Sequence, residues 1–166
     1  ATATGTLTNT ATVTGTETDT NTSNNSASQT TAVAVPKSIS GVVYVDMNRN
    51  GLNDAGDQRL PGVTVVLTGT DITSATINQS ATTDANGAYV FSNLLPGTYT
   101  VTQTQPAGYQ DGAANAGTGS TTTPTTSANQ ITNITLGTTD AVAFDFGDLL
   151  SPLSKRRFLA SSQVGD

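Results

Sequence analysis

The sequence predicts an all-β protein, a sandwich of two sheets with about seven short strands, preceded by a β-hairpin segment. Thr makes up 34 of the 166 residues and Val is also common, and both residue types favour pleated strands. Sixteen Gly residues and many Asn and Asp residues supply turn signals between apolar runs. Long stretches of helix-forming residues are missing, and Glu17 is the single Glu. We therefore expect no helix longer than about two turns.

Composition excludes several classes of function. The chain has no Cys and no His, which removes disulfides, thiolate metal sites and imidazole acid–base catalysis. Charged residues are 11% of the chain and the net charge is −6, so a nucleic-acid partner is not expected. No apolar run reaches the roughly 18 residues that span a bilayer, so we expect no transmembrane segment. The sequence predicts a protein that is not an enzyme.

Residues 1–36 form the first segment. They contain no aromatic residue and cannot bury a core of their own. Alternation over 6–14 and, more weakly, over 32–35 predicts two strands, and the polar stretch 20–26 separates them. We interpret this segment as a β-hairpin that needs a partner surface, either the end of a preceding repeat or strands shared between subunits.

Residues 37–150 carry the predicted sandwich. Strands are predicted near 39–46, 63–68, 80–84, 87–91, 97–104, 131–136 and 141–147. Alternation points these residues inward: Val43, Val45, Val63, Val65, Leu67, Tyr89, Phe91, Tyr99, Val101, Ile134, Leu136, Val142, Phe144 and Phe146. It places these on the other face: Thr64, Thr100, Thr102, Ala143 and Asp145. Residues 111–130 are predicted to be a long, mobile polar loop, and 151–166 a mildly basic C-terminal tail.

The strongest chemical motif is the twelve-residue stretch 46–57, DMNRNGLNDAGD. Side-chain oxygens stand at positions 1, 3, 5, 9 and 12, on Asp46, Asn48, Asn50, Asp54 and Asp57. Gly51 occupies position 6, where the loop turns sharply, and Leu52 at position 7 would offer its backbone carbonyl. This spacing predicts a Ca²⁺ site, with Asp57 in place of the usual Glu. The loop follows a strand, so a structural ion is expected, not a sensor.

A resemblance covers nearly all of 38–148. Residues 38–57, SISGVVYVDMNRNGLNDAGD, resemble the start of the B-type repeats of staphylococcal serine-aspartate-repeat adhesins. Further matching stretches are LPGVTV at 60–65, TDANGAYVF at 83–91, LPGTYTVT at 95–102, QPAGY at 105–109 and FDFG at 144–147. The resemblance implies an Ig-like, collagen-adhesin-B-like sandwich that binds calcium and acts as a rigid spacer at the cell surface. Residues 5–35 look like the last two strands of another Ig-like surface repeat.

Two weaker features accompany the calcium motif. Asp84 and Asn86 lie in an Asp-Ala-Asn-Gly stretch that is first of all a hairpin turn. The resemblance adds that they could ligate a second calcium ion, but two ligands are few, so the turn alone is favoured. Related domains often carry a Lys–Asn isopeptide bond, yet the first strand here has no Lys over 42–45. Gln103 stands where the related pattern has the catalytic Glu, so no isopeptide bond is expected.

Three functions remain in competition. The first is a calcium-stabilised structural module, such as a stalk, spacer or adhesin repeat, outside the cell or on its surface, with neighbouring repeats as partners. The second is a filament subunit assembled with copies of itself by β-strand addition through 1–36. The third is an adhesion module for glycan or extracellular matrix protein, which the lack of Trp disfavours. Without an initial Met or a secretory leader, the chain is expected to be a fragment or processed product.

Overall fold

The computed structural model describes residues 5–151. The chain divides into two compact units, one ending at Val35 and the other beginning at Pro36. In the described part no helix is long and apolar enough to cross a membrane, and the only helix is a 3-10 turn at Thr22–Asn24. The strands are β1 Gly5–Thr12, β2 Ser26–Val33, β3 Lys37–Val45, β4 Gln58–Arg59, β5 Thr64–Asp71, β6 Thr76–Thr82, β7 Ala88–Leu94, β8 Gly97–Gln103, β9 Tyr109–Asn115, β10 Thr125–Ser127, β11 Gln130–Leu136 and β12 Asp145–Leu150.

The first unit is a two-stranded antiparallel hairpin. Strands β1 and β2 pair from Gly5 opposite Val33 to Thr12 opposite Ser26. The second strand therefore begins at residue 26 and ends at Val33, so the predicted 32–35 overlaps it only at 32 and 33. Every residue of β1 is exposed, so backbone pairing holds the hairpin and no buried face imposes an apolar period.

The second unit is a sandwich of two five-stranded sheets, which confirms the predicted all-β two-sheet class, with ten strands where about seven were predicted. One sheet has the order β10-β11-β8-β5-β6. The other has the order β4-β3-β12-β9, and β7 pairs with the first part of β3. Strands β3 and β12 run parallel, with Val45 opposite Asp148. Strand β4 pairs antiparallel with the end of β3. The last part of β3 thus lies at the centre of its sheet.

The core lies between the two sheets. Side chains from both sheets form one cluster, including Val43, Val45, Leu67, Tyr99, Val101, Ile134 and Phe146. Thirteen of the residues predicted to point inward are buried, and Val142 is the exception at 43% exposed. Asp145, predicted to face outward, is instead 7% exposed. Ala143 has a φ of 62°, so the chain leaves the extended conformation there and strict alternation fails on both sides of it.

The predicted polar loop 111–130 is wrong at 111–115, 125–127 and 130, which lie in strands, while the rest of the range lies outside them. Strand β9 pairs antiparallel with β12, and β10 pairs with β11. Both are edge strands; β9 contains no β-branched residue and β10 is only three residues long, so neither shows the alternation of apolar residues that identifies a strand. The short β4 was missed for the same reason. The basic tail lies outside the described residues from 152 onward.

Candidate metal centre

The loop 46–57 connects β3 to β4 and is closed at its base by their pairing. Its first residue, Asp46, is 4% exposed and donates its backbone N–H to the carbonyl of Asp148 on β12 at 2.9 Å. The loop therefore emerges from the centre of the sheet, and its first carboxylate is largely withdrawn from water.

The first half of the loop folds around the Asp46 carboxylate. Oδ2 of Asp46 accepts the Gly51 N–H at 2.7 Å, and Oδ1 accepts the Asn50 N–H at 3.2 Å. Gly51 has a φ of 76°, a conformation that Gly adopts without steric cost and that lets the chain reverse here. Oδ1 of Asn48 also accepts the Asn50 N–H, at 3.0 Å. The turn is thus held by side-chain oxygens that accept backbone N–H groups of the same loop.

The second half of the loop is held by Asp54 and Asp57. Asp57 accepts the Met47 N–H on Oδ1 and the Asp54 N–H on Oδ2, both at 3.0 Å, and so ties the two ends of the loop together. Oδ2 of Asp54 accepts the amide groups of Asn50 at 2.9 Å and Asn48 at 3.0 Å. These two bonds, with a third from the Gly56 N–H, hold the pKa of Asp54 below its usual value.

The structure brings five of the six predicted ligand residues into one hydrogen-bonded network: Asp46, Asn48, Asn50, Asp54 and Asp57. Leu52 joins through its N–H, which donates to Asn50 Oδ1 at 2.8 Å, and its side chain is 58% exposed. That orientation fits a residue that would contribute only its backbone.

The loop carries carboxylate and amide oxygens, which are ligands that a hard cation takes, although in this structure the Asn48 and Asn50 amides present nitrogen to Asp54. Two neutral amide NH₂ groups donate to a single Asp54 oxygen, and within the described residues they are its only side-chain donors. Among residues 5–151 no three acidic, His or Cys side chains cluster as a metal site by themselves. Binding here would therefore depend on amide and carbonyl oxygens as well as on carboxylates.

Negative charge is concentrated beneath the loop, around Tyr44. This side chain is fully buried, and burial, followed by the charges of Asp46, Asp145 and Asp57, raises the pKa of Tyr44 to about 12. The neutral hydroxyl is the form present at ordinary pH. The same field that disfavours a phenolate favours a bound cation.

Sequence reasoning missed the residues that fasten the loop to the sandwich. Asn53 donates to Asp145 Oδ2 at 2.8 Å and accepts a hydrogen bond from Arg59, while Asp145 Oδ1 accepts the Val42 N–H at 2.8 Å. Asn115 on β9 donates to the Gly51 carbonyl at 2.7 Å. Asn53 is far from Asp145 in sequence, and Asn115 is far from Gly51, so no local spacing could have identified these pairs.

Asp84 and Asn86 lie in the hairpin between β6 and β7. Asp84 Oδ1 accepts the N–H groups of Asn86 at 2.8 Å and Ala88 at 2.9 Å, and Gly87 has a φ of 69°. In the described part of the chain all hydrogen bonds of Asp84 stay within this turn. The structure does not bring Asp84 into the loop network, although a cavity of about 660 Å³ is lined by Asp84, Asn53 and Asp145 among others.

Comparisons with known proteins agree on the second unit. A family model described as the SdrD B-like domain matches residues 37–147. The serine-aspartate repeat-containing protein C of Staphylococcus aureus strain N315 is 40% identical over 81 residues, which cover 49% of this chain and 8% of the relative. The same protein from strain Newman is 38% identical over the same length. The chain thus spans a small part of the curated relatives it matches.

Solved structures also resemble this chain. A streptococcal ancillary pilin matches with a TM-score of 0.44 and 18% identity, over 70% of this chain and 33% of the pilin. The minor pilin GBS52 of Streptococcus agalactiae matches with a TM-score of 0.44 and 15% identity, over 76% of this chain and 54% of the pilin. The plantain pollen allergen Pla l 1 matches with a TM-score of 0.43 and 16% identity, over 70% of this chain and 95% of the allergen.

Proposed function

Since the chain belongs to the SdrD B-like domain family, which accounts for residues 37–147, we propose that it is a non-enzymatic, calcium-stabilised structural module of an extracellular, cell-surface protein. The observation that carries this proposal is the oxygen network of loop 46–57. Asp46, Asn48, Asn50, Asp54, Asp57 and the Leu52 carbonyl are the proposed ligands. A bound Ca²⁺ supplies positive charge to three carboxylates that otherwise repel one another.

The loop contacts enough of one sheet for an ion to stiffen it. It joins β3 to β4, reaches β12 through the Asp46 N–H and through Asn53, and reaches β9 through Asn115. An ion that fixes the loop therefore restrains four strands at once. A module of this kind suits a stalk or spacer, which has to keep its shape under extension and resist proteolysis.

Calcium stabilises the fold by mass action if it binds the folded chain alone. The gain is about 2.7 kcal/mol when free calcium is about 100 times the dissociation constant. Because the ligands come from a loop closed by tertiary contacts, the unfolded chain offers no comparable site.

A thermal melt with and without excess EGTA tests this proposal. We expect chelation at neutral pH to lower the melting temperature of the wild-type chain by several degrees. Asp46→Asn removes a buried charge from the proposed ligand set and should show a much smaller response to EGTA. Glu17→Gln, which removes one exposed charge in the first unit, should respond like the wild type. Equal melts of the wild-type chain with and without EGTA would contradict calcium stabilisation.

A second candidate function concerns the hairpin of the first unit. Within the described residues, β1 and β2 pair only with each other, so each strand has an open edge, and Leu7 and Val13 are 64% and 63% exposed. Open edges can accept a strand from another copy, which would build a filament. Gel filtration of the 166-residue chain tests this alternative. A species that stays monomeric at high concentration would exclude assembly by strand addition.

A further inference from the structure

Most of the strands at the sheet edges of the sandwich are protected against pairing with another chain. Strand β4 has two residues and β10 has three, so each offers little backbone to a partner. The pairing of β7 with β3 and that of β9 with β12 are each interrupted by a register shift, and β9 also carries Asp111. Short strands, bulges and charges are the devices by which proteins keep sheet edges from pairing with other chains.

Strand β6, Thr76–Thr82, is the edge that lacks these devices. It pairs with β5 over all seven of its residues without a register shift. It contains no Pro, no Gly and no charged residue. Within the described part of the chain β6 pairs with β5 alone, so the N–H and C=O groups along its outer edge have no strand partner. A regular, uncharged edge of this length can accept a strand from another chain.

Strand β6 also leaves one row of the sandwich core partly uncovered. Ile77 and Ala81 are half-buried and pack against the core, and Gln79 between them is exposed. Because side chains alternate along a strand, these three share the side of the sheet that faces the core. The other four residues of β6 are Thr, Asn or Ser and lie on the opposite side. A further strand with apolar residues at matching positions would cover Ile77 and Ala81.

Strand β1 of the hairpin has matching positions. Leu7, Asn9 and Ala11 share one face, in the same order of apolar, amide and apolar residues as the core-facing row of β6. The other face of β1 has Thr at 6, 8, 10 and 12. Like β6, β1 contains no charged residue, so pairing the two strands brings no like charges together, although the chain has a net charge of −6.

An antiparallel pairing of β1 with β6 matches both faces at once. With Asn9 opposite Gln79, Leu7 falls opposite Ala81 and Ala11 falls opposite Ile77, so apolar residues meet on the core-facing side. On the other side each Thr of β1 meets a Thr, Ser or Asn of β6. Cross-strand apolar pairs and pairs of hydroxyl residues both stabilise a sheet.

The strand that already pairs with β1 supports this register. In the hairpin Asn9 lies opposite Gln29, and the hydroxyls of Thr10 and Ser28 hydrogen-bond across the strands at 2.9 Å. Residues 26–31 of β2 read SASQTT, and residues 76–81 of β6 read TINQSA. Position by position the two stretches agree in residue class except at the last pair, Thr and Ala. Strand β6 therefore offers β1 nearly the same series of neighbours that β2 does.

We propose that the outer edge of β1 in one copy of this chain pairs antiparallel with β6 of a second copy. This pairing rests on the second candidate function, assembly through the hairpin, and identifies the surface that accepts the hairpin. It places Leu7, which is 64% exposed in the hairpin, over the uncovered row of the core. Because donor and acceptor are different surfaces, two joined copies still have one free hairpin and one free β6. The copies therefore join head to tail, into an open filament or a closed ring.

Analytical ultracentrifugation of the full chain tests this pairing. Gln79→Lys places a charge on the core-facing side of β6, and Leu7→Lys places one on the face of β1 that would cover it. Each variant should weaken self-association about tenfold or more, because an inward charge at a sheet edge blocks strand addition. Thr68→Lys is the matched control: Thr68 is exposed on β5, directly opposite Asn78, so the same charge lies one strand away from the edge. It should associate like the wild type.

A mixture of the two variants tests whether the surfaces are complementary. The Leu7→Lys chain keeps an intact β6, and the Gln79→Lys chain keeps an intact hairpin. Each alone should stay monomeric, whereas the equimolar mixture should form a one-to-one pair that does not grow further, since the pair has no second intact interface.

The outcomes separate this pairing from the function on which it rests. A wild-type chain that stays monomeric at high concentration overturns both assembly through the hairpin and the role of β6. If the wild type assembles and Gln79→Lys assembles equally well, assembly stands and β6 as the acceptor is overturned. A mixture that forms no pair also overturns it. Circular dichroism checks the fold of each variant, and Asn78→Lys, at an exposed position of the same edge, replaces Gln79→Lys if that variant does not fold.

Discussion

The buried carboxylate of Asp148 predicts an unusual pH dependence for the metal-free chain. Burial, with a smaller contribution from the charge of Asp111, raises the pKa of Asp148 from 3.8 to about 6, and the hydrogen bonds from Gln105 and Gln103 only partly offset it. The folded state therefore binds this proton more tightly than the unfolded state does. Stability from this group is fully present below about pH 4 and is lost as the pH rises through about 6.

The size of the effect follows from that rise in pKa. Each tenfold change in proton affinity is worth about 1.4 kcal/mol, so the full effect is about 3 kcal/mol, and raising the pH from 4 to 7 should remove about 2.4 kcal/mol of it from the free energy of unfolding. The assay is urea unfolding of metal-stripped protein in calcium-free buffer across this pH range. Asp148→Asn is the control, because it keeps the volume of the side chain and cannot ionise.

Other carboxylates do not obscure the result. Hydrogen bonds from Thr73 and Ser38 lower the pKa values of Asp71 and Asp140, so their contributions change mainly below pH 4, where stability falls as the pH falls. The difference between wild type and Asp148→Asn isolates the buried group. A difference that stays constant from pH 4 to pH 7 would refute the reasoning.

Three further substitutions test the geometry of the sandwich and its loop. Gly51→Ala places a Cβ at a φ of 76° and should lower the free energy of unfolding by about 1–2 kcal/mol in urea unfolding. The nearest atom to that Cβ would be Ala113 Cβ at 3.4 Å, an ordinary contact, so the cost comes from the backbone conformation. A cost of zero would mean that the left-handed turn is not required. Asn115→Ala removes the bond to the Gly51 carbonyl and should lower stability by about 1 kcal/mol without changing calcium stoichiometry; a lost equivalent would make Asn115 a ligand instead of an anchor. Tyr89→Phe leaves the Phe144 carbonyl without its buried donor and should cost about 1–2 kcal/mol; Tyr109→Phe, at a half-buried edge position, is the matched control and should cost less.

The sequence predicted the parts of the fold whose signal is local. Val65 and Leu67, or Tyr99 and Val101, alternate with polar residues and are buried as expected, because one face of a strand packs on the core. Strand β9 escaped prediction because Gly112, Ala113 and Ala114 have no strand propensity, and only pairing with β12 makes them a strand.

Around the loop, too, some features were predictable from local sequence and others were not. The predicted ligands of 46–57 lie within one continuous stretch of sequence, so their spacing could be recognised from the sequence alone. The inward turn of Asp145 depends on the left-handed Ala143, and the cluster around Asp148 depends on register between strands far apart in sequence. Neither has a local signal, so both require the folded chain.

Anomalous scattering from crystals grown with calcium tests the central claim most directly. The claim predicts a strong calcium peak within loop 46–57, with oxygens of Asp46, Asp54 and Asp57 around it and the Asn48 and Asn50 amides turned to present oxygen. An ordered loop without a peak in calcium-replete crystals, its amides still donating to Asp54, would contradict it.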